Sequence, residues 1–176
     1  NKILFPILFC FTFIPGAFGS HMTGGEITYS CIGPNQYEVT VKLYRDCNGA
    51  SLGTAATLNY SSAACGVSAS IALGRVSVTD ITPLCPSESS ACSGGGGLGT
   101  ELHVYKGIIT LPPGCTDWVL SYSNCCRNYI VTNVSSPGDN ELYIEATLDN
   151  TLSPCNSSPS FSSNPQLYAC VGQTVN

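Results

Sequence analysis

The sequence predicts an all-β fold: a disulfide-rich, antiparallel β-sandwich of immunoglobulin-like type, followed by the start of a second β domain. Two observations lead to this prediction. Several short segments alternate apolar and polar residues, whereas no stretch of ten or more residues places apolar side chains at helical spacing. Of the 11 cysteines, all but Cys10 follow residue 19, and such an even set is typical of a disulfide framework.

Residues 1–19 have the layout of a secretory signal peptide. Lys2 precedes an apolar run that ends at Pro15, and the small residues Ala17 and Gly19 form an A-x-A-like cleavage site. The run is shorter than the roughly 20 residues that a membrane-spanning helix needs. We therefore expect a domain that is secreted or displayed at the cell surface, with no membrane span once the signal is removed.

Eight segments of residues 20–150, the expected sandwich domain, alternate in the manner of strands. The first two flank a turn at 33–36 and are predicted to form a hairpin. The second places Tyr37 and Val39 on one face and Glu38 on the other, as a half-buried antiparallel strand does. The predicted strands are Glu26–Cys31, Tyr37–Cys47, Ala56–Tyr60, Val67–Ala72, Arg75–Ile81, Leu102–Leu111, Trp118–Ser123 and Glu141–Leu148.

The strand that begins at the single tryptophan, Trp118, runs toward the adjacent Cys125 and Cys126 and is expected to tie the domain together. Successive side chains of an extended chain point to opposite faces. We therefore expect these two cysteines to form separate bridges to different partners. A redox pair is the alternative, but redox motifs place two residues between their cysteines.

The cysteines after the signal are expected to be structural, with no metal and no cofactor. Zinc sites use close C-x-x-C pairs or histidine partners, and the only histidines are His21 and His103, far apart. A local Cys85–Cys92 bridge is expected to close a glycine-rich loop at 83–100, and spacing leaves the other pairings open. The disulfide candidates are Cys31, Cys47, Cys65, Cys85, Cys92, Cys115, Cys125, Cys126, Cys155 and Cys170.

The same glycine-rich loop could be taken for a phosphate-binding loop. No Lys-Ser or Lys-Thr follows the glycines, and the next segment is a predicted strand and not a helix. We therefore favour a structural loop.

The charge balance excludes some classes of partner. Charged residues make up 10% of the chain, compared with roughly 25% in average domains. With six Lys and Arg residues and a net charge of −5, the chain lacks the basic clusters that bind nucleic acid or anionic membranes. An extracellular polysaccharide or protein is the partner we expect.

Five residues are candidate ligand contacts. Three tyrosines fall on predicted outward faces of strands, and a row of exposed aromatic rings would favour a carbohydrate-binding module. Two arginines beside cysteines could bind an acidic group through bidentate hydrogen bonds, although we favour strand-end capping through carbonyl oxygens, Asp46 or Asp117. The candidates are Tyr44, Tyr105, Tyr143, Arg45 and Arg127.

His103 lies beside Glu101 in a predicted strand, so an acid–base pair is conceivable. No nucleophile motif occurs in the sequence, and we favour an exposed strand face without catalytic residues. A secreted hydrolase accessory domain would instead need His103 buried beside Glu101 near an exposed serine. Asp139 to Glu141 offers oxygen ligands for calcium but does not match a calcium-binding loop.

The C-terminal part changes composition. Residues 151–165 are rich in Ser, Asn and Pro and are expected to form a linker. Residues 166–176 then begin a new apolar segment, which we interpret as the first strand of a second domain.

Several phrases together resemble a known family. They are Gly24–Tyr29 after Ser20-His21, Leu43–Cys47, Trp118–Ser121 leading into Cys125–Asn128, and Tyr143–Leu148. In this order they are similar to the N-terminal region of large secreted surface proteins of Bacteroidetes, which are adhesin-like or associated with gliding motility. The resemblance implies a non-catalytic surface module, PKD-like or cadherin-like repeats after it, and export by type IX secretion.

Overall fold

The computed structural model describes residues 22–85, 88–129, 131–165 and 169–171. It confirms the all-β, disulfide-rich fold: seven strands form one antiparallel sheet in the order β1-β2-β5-β4-β3-β6-β7. The expected signal peptide at 1–19 lies outside the described residues, as does most of the expected second-domain strand at 166–176. No helix in the described ranges is long and apolar enough to cross a membrane.

The strands follow the predicted segments with one difference. The segments predicted at 67–72 and 75–81 are two halves of one strand, and its pairing with β5 shifts register between Arg75 and Ser77. This irregularity interrupts the apolar–polar alternation in the middle of the strand, which is why the sequence predicted two separate strands. The strands are β1 Met22–Gly33, β2 Gln36–Asp46, β3 Ala55–Ser62, β4 Val67–Asp80, β5 Thr100–Thr110, β6 Trp118–Cys125 and β7 Glu141–Leu148.

The sheet curls until its two edge strands, β1 and β7, pack against each other. The hydroxyl of Tyr29 in β1 donates to the carbonyl of Thr147 in β7 at 3.0 Å. The enclosed face holds a continuous core, in which Trp118 is fully buried as the expected anchor. The largest other fully buried side chains are Tyr37, Tyr105, Met22, Leu43, Leu58, Leu73, Leu111 and Leu120.

Disulfides join the ten cysteines in five pairs, and two pairing expectations are wrong. Cys92 bonds to Cys47 at the end of β2, and not to Cys85, because the loop before β5 folds back onto that strand end. Cys125 and Cys126 bond to each other, since β6 ends at Cys125 and an extended strand no longer separates their side chains. The pairs are Cys31–Cys155, Cys47–Cys92, Cys65–Cys115, Cys85–Cys170 and Cys125–Cys126.

Residues 154–165, called the strap below, start beside the outer edge of β1. The backbone N–H of Ser158 donates to the carbonyl of Tyr29 at 3.0 Å, and the Ser158 hydroxyl accepts from the Tyr29 N–H at 2.9 Å. The composition favours a linker here, yet these bonds and the Cys31–Cys155 bridge attach the segment to the sheet. The strap therefore belongs to the surface of the folded domain.

Candidate functional site

A buried polar cluster closes one end of the core. Antiparallel pairing of β2 with β5 places Arg45 opposite Glu101, and His103 follows two residues later on the same face. The Glu101 carboxylate accepts hydrogen bonds from the Arg45 guanidinium and from His103 Nε2, the latter at 3.0 Å. Arg45 and His103 are buried, at 7% and 3% exposure. The expectation of an exposed strand face for His103 is therefore wrong, because this face of β5 turns inward.

Arg45 acts as a strand-end cap. Besides Glu101, its guanidinium donates to the carbonyls of Cys47, Gly49 and Ala50, at 3.3, 2.6 and 2.6 Å. These bonds hold the loop after β2 over the end of the core. This burial and these bonds leave little of the guanidinium for an external ligand.

His103 is a buried side chain whose ring is hydrogen-bonded to Glu101. Burial lowers its pKa, only partly offset by the hydrogen bond to Glu101, so the ring is neutral near pH 7. Because Nε2 donates to the carboxylate, Nδ1 carries the lone pair, and this atom is buried without a partner. Across the residues that the structure describes, no hydroxyl is hydrogen-bonded to His103. The nucleophile–base contact that a hydrolase needs is not formed there.

One group of side chains has potential metal-ligand atoms close to one another. The sulfurs of Cys47 and Cys92 and a carboxylate oxygen of Glu101 lie within 4.8 Å of one another. The two sulfurs are joined in a disulfide, and Arg45 already pairs with the carboxylate. Zinc binds thiolates, so this group does not form a zinc site in the oxidised protein.

The predicted row of exposed tyrosines is not formed. Tyr105 is a core residue whose hydroxyl donates to the Gly53 carbonyl at 2.9 Å, because its face of β5 turns inward. Tyr44 faces outward as expected but is buried, at 6% exposure, beside Gly24 and the strap. Only Tyr143 is exposed, and its hydroxyl donates to Glu145 at 2.7 Å. The expectation that all three rings are exposed is therefore wrong for Tyr44 and Tyr105.

Arg127 lies near the start of β1, where it forms a parallel bridge with Met22. Its Nε donates to the carbonyl of Glu141 at 3.2 Å. Like Arg45, this arginine bonds to the backbone, as strand-end capping requires. The neighbouring Asn140, from the weak calcium phrase, donates its amide to the carbonyls of Ser135 and Ser136.

A groove lies between the outer faces of β1 and β2 and the strap, with a volume of about 610 Å³. One side is sheet and the other is strap, so the site combines two parts of the chain that are distant in sequence. Its polar groups include a carboxylate, an amide and a serine hydroxyl. The lining residues are Gly25, Glu26, Tyr44, Phe161, Ser163, Asn164 and Pro165.

Sequence reasoning did not single out most of this groove. Tyr44 was a candidate, whereas Glu26 was only the first residue of a predicted strand and Phe161 was only the start of an apolar segment after the serine-rich stretch. One signal in the sequence could have pointed to the groove. Phe161 is a large apolar residue in a stretch of serines and prolines, and a flexible linker does not need such a residue. Comparison with protein families, with curated proteins and with solved structures found no match to this chain.

Proposed function

We propose that this chain is a non-catalytic extracellular module of a cell-surface protein, acting in adhesion or surface interaction. The main support for this proposal is that disulfides attach the segment after β7 to the sheet and to the loop before β5. Cys31–Cys155 holds the strap near one end of β1, and Cys85–Cys170 ties the following segment to the loop before β5. Such pairing favours an oxidising compartment outside the cytosol.

The same pairing suits a module that resists tension. A pull on the chain beyond residue 170 reaches the Cys85–Cys170 bond before it reaches the hydrogen bonds of the strap. Covalent bonds also reduce the number of conformations open to the unfolded chain, which stabilises the folded state. A surface adhesin that is loaded through its C-terminal side would benefit from both effects.

The buried polar cluster supports a non-catalytic role. Glu101 and His103 are the acid–base pair that the sequence offers, and their contacts serve the closed end of the core. His103 is buried, and the Glu101 carboxylate is already engaged by Arg45 and His103, which leaves little room for a substrate beside them. Together with the resemblance to adhesin-like and gliding-associated proteins of Bacteroidetes, this favours a module exported by type IX secretion. The alternative of a carbohydrate-binding module is supported by the groove under the strap. For a hydrolase accessory domain, His103 is buried beside Glu101 as that alternative requires, but no serine hydroxyl in the described ranges is hydrogen-bonded to it.

A flow assay tests the adhesive role. The oxidised protein is coupled to beads, and bead retention under shear is measured on surfaces coated with extracellular polysaccharide and on bare surfaces. We expect retention on the polysaccharide that falls to the bare-surface level when the protein is reduced and alkylated. Equal retention on both surfaces, or turnover of the polysaccharide by the soluble protein, would contradict the proposal.

A further inference from the structure

We propose that the groove between the strap and the outer faces of β1 and β2 binds a neutral saccharide, such as a short segment of a polysaccharide chain. This inference rests on the proposed function, since the saccharide would be the surface ligand of the module. It assigns the binding role to Phe161, Glu26 and Asn164, with Tyr44 as the floor. The sequence singled out only Tyr44 among these.

The dimensions suit a small ligand. Pockets that hold small molecules have volumes of about 300 to 1,000 Å³, and this groove has about 610 Å³. Its lining combines an aromatic ring and a proline from the strap with polar groups on both sides, Glu26 from β1 and Ser163 and Asn164 from the strap. A sugar ring likewise combines an apolar face of C–H groups with an edge of hydroxyls.

The aromatic groups are placed for such a ligand. Phe161 is 72% exposed, so its ring has a free apolar face that the domain itself does not cover. Tyr44 is buried, yet in the described part of the chain no group is hydrogen-bonded to its hydroxyl. The hydroxyl itself is not buried, so it can exchange hydrogen bonds with a ligand hydroxyl in the groove.

The charges favour a neutral ligand over an acidic one. Glu26 contributes a carboxylate, and its salt bridge to Lys42, with a nitrogen–oxygen distance of 2.6 Å, already engages the nearest cation. None of the residues that line the groove is basic, and the chain has a net charge of −5. An acidic sugar would meet repulsion here, whereas neutral hydroxyls can donate to the carboxylate and accept from the Asn164 amide.

The Cys31–Cys155 disulfide should also affect binding, because it holds one wall of the groove in place. Phe161 and Asn164 belong to the strap, whose position against β1 depends on the Cys31–Cys155 bridge and the bonds of Ser158 to Tyr29. Ordering a flexible wall at the moment of binding would cost free energy, so a fixed strap raises affinity. Binding should therefore weaken when this bridge is removed, even though neither cysteine lines the groove.

Titration calorimetry of the oxidised protein with defined oligosaccharides tests the inference. The panel contains neutral gluco-, manno- and xylo-oligosaccharides and an acidic oligogalacturonate. We expect at least one neutral oligosaccharide to bind and Phe161→Ala to weaken it at least tenfold. Leu152→Ala, which removes another exposed apolar side chain from the C-terminal segment, should have no effect. Cys31→Ala/Cys155→Ala should weaken binding as well.

Three results would overturn the inference: no neutral member of the panel binds, only the oligogalacturonate binds, or Phe161→Ala binds as tightly as wild type. Near-ultraviolet circular dichroism checks that each variant is folded. The bead assay separates this failure from that of the proposed function. If Phe161→Ala beads are retained like wild type, the groove is not the site but the adhesive role stands. If wild-type beads are not retained, the adhesive role itself fails.

Discussion

Asn128 donates its side-chain amide to the carboxylate of Asp46 at 2.8 Å, across a sequence separation of 82 residues. Both side chains are buried, and the backbone N–H of Asn128 also donates to the carbonyl of Met22 at 3.1 Å. The contact joins the turn after β6 to the end of β2 and the start of β1. Residues from Leu43–Cys47 and Cys125–Asn128, which are distant in sequence, thus meet at one joint of the fold.

Replacing Asn128 should loosen this joint. Asn128→Ala leaves the Asp46 carboxylate buried without its amide donor, and we expect the free energy of unfolding to fall by about 1 to 3 kcal/mol. Asn128→Asp should be worse at pH 7, because two carboxylates would then face each other. Urea denaturation with the disulfides intact measures both losses. Asn133→Ala, at an exposed position, is the control. A loss for Asn128→Ala no larger than that of the control would show that the contact contributes little.

The neighbouring glycines of β1 should respond differently to alanine. A Cβ on Gly25 would lie 2.9 Å from the backbone carbonyl oxygen of Lys42 and 3.1 Å from the Ile144 side chain, so β1 would have to shift against β2 and Ile144 of β7 would have to move. A Cβ on Gly24 meets only the Tyr44 ring, at an ordinary 3.7 Å. We expect Gly25→Ala to cost roughly 1 to 3 kcal/mol in unfolding free energy and Gly24→Ala much less. Equal losses by thermal or urea denaturation would show that β1 is not closely packed around Gly25.

The strands were predictable because their signal is local. Tyr37, Val39, Val41 and Leu43 alternate with polar residues, and in the structure all four are buried on one face of β2. Such alternation reports directly which face meets the core. Alternation does not predict burial where another segment covers the outer face of the sheet. Tyr44 occupies an outward position, yet the strap and β1 cover it.

The disulfide pairs and the groove were not predictable, since both depend on where distant segments meet. Nothing near Cys85 identifies Cys170 as its partner, because the strap first has to lie along β1. Phe161 lines the groove only because its segment lies opposite Tyr44. His103 shows the same limit, because its inward orientation follows from the pairing of β5 with β2 and not from its own neighbours.

Peptide mapping should recover the five disulfide pairs of the structure. Digestion under non-reducing, acidic conditions, followed by mass spectrometry, should give linked peptides for the four long-range pairs. The peptide that contains both Cys125 and Cys126 should be about two mass units lighter than its reduced form and unlinked to others, because the bond lies within it. A Cys85–Cys92 linkage, or a link from Cys125 to any distant cysteine, would contradict this arrangement.

Acid should destabilise the protein in two separate ranges of pH. Burial lowers the pKa of His103 in the folded state, whereas the unfolded chain takes up a proton near its ordinary value of 6.5. The unfolded state therefore binds more protons as the pH falls. The stabilising contribution is complete above about pH 6.5 and decreases below it, by at most about 1.4 kcal/mol per pH unit. Asp117 contributes to the loss of stability only at lower pH, since a hydrogen bond from Ser62 lowers its pKa below the ordinary 3.8.

Substitution of each histidine in turn shows which group causes the loss of stability in the upper pH range. We expect His103→Gln to flatten the slope of unfolding free energy between pH 6.5 and 5, measured by urea denaturation at closely spaced pH values. The overall stability of this variant should also be lower, because a core position is altered, but the slope isolates titration from packing. The sequence contains one other histidine, His21, and His21→Gln should leave the slope unchanged. If the slope persists in His103→Gln, another group titrates in this range and the neutral, buried state of His103 is not its cause.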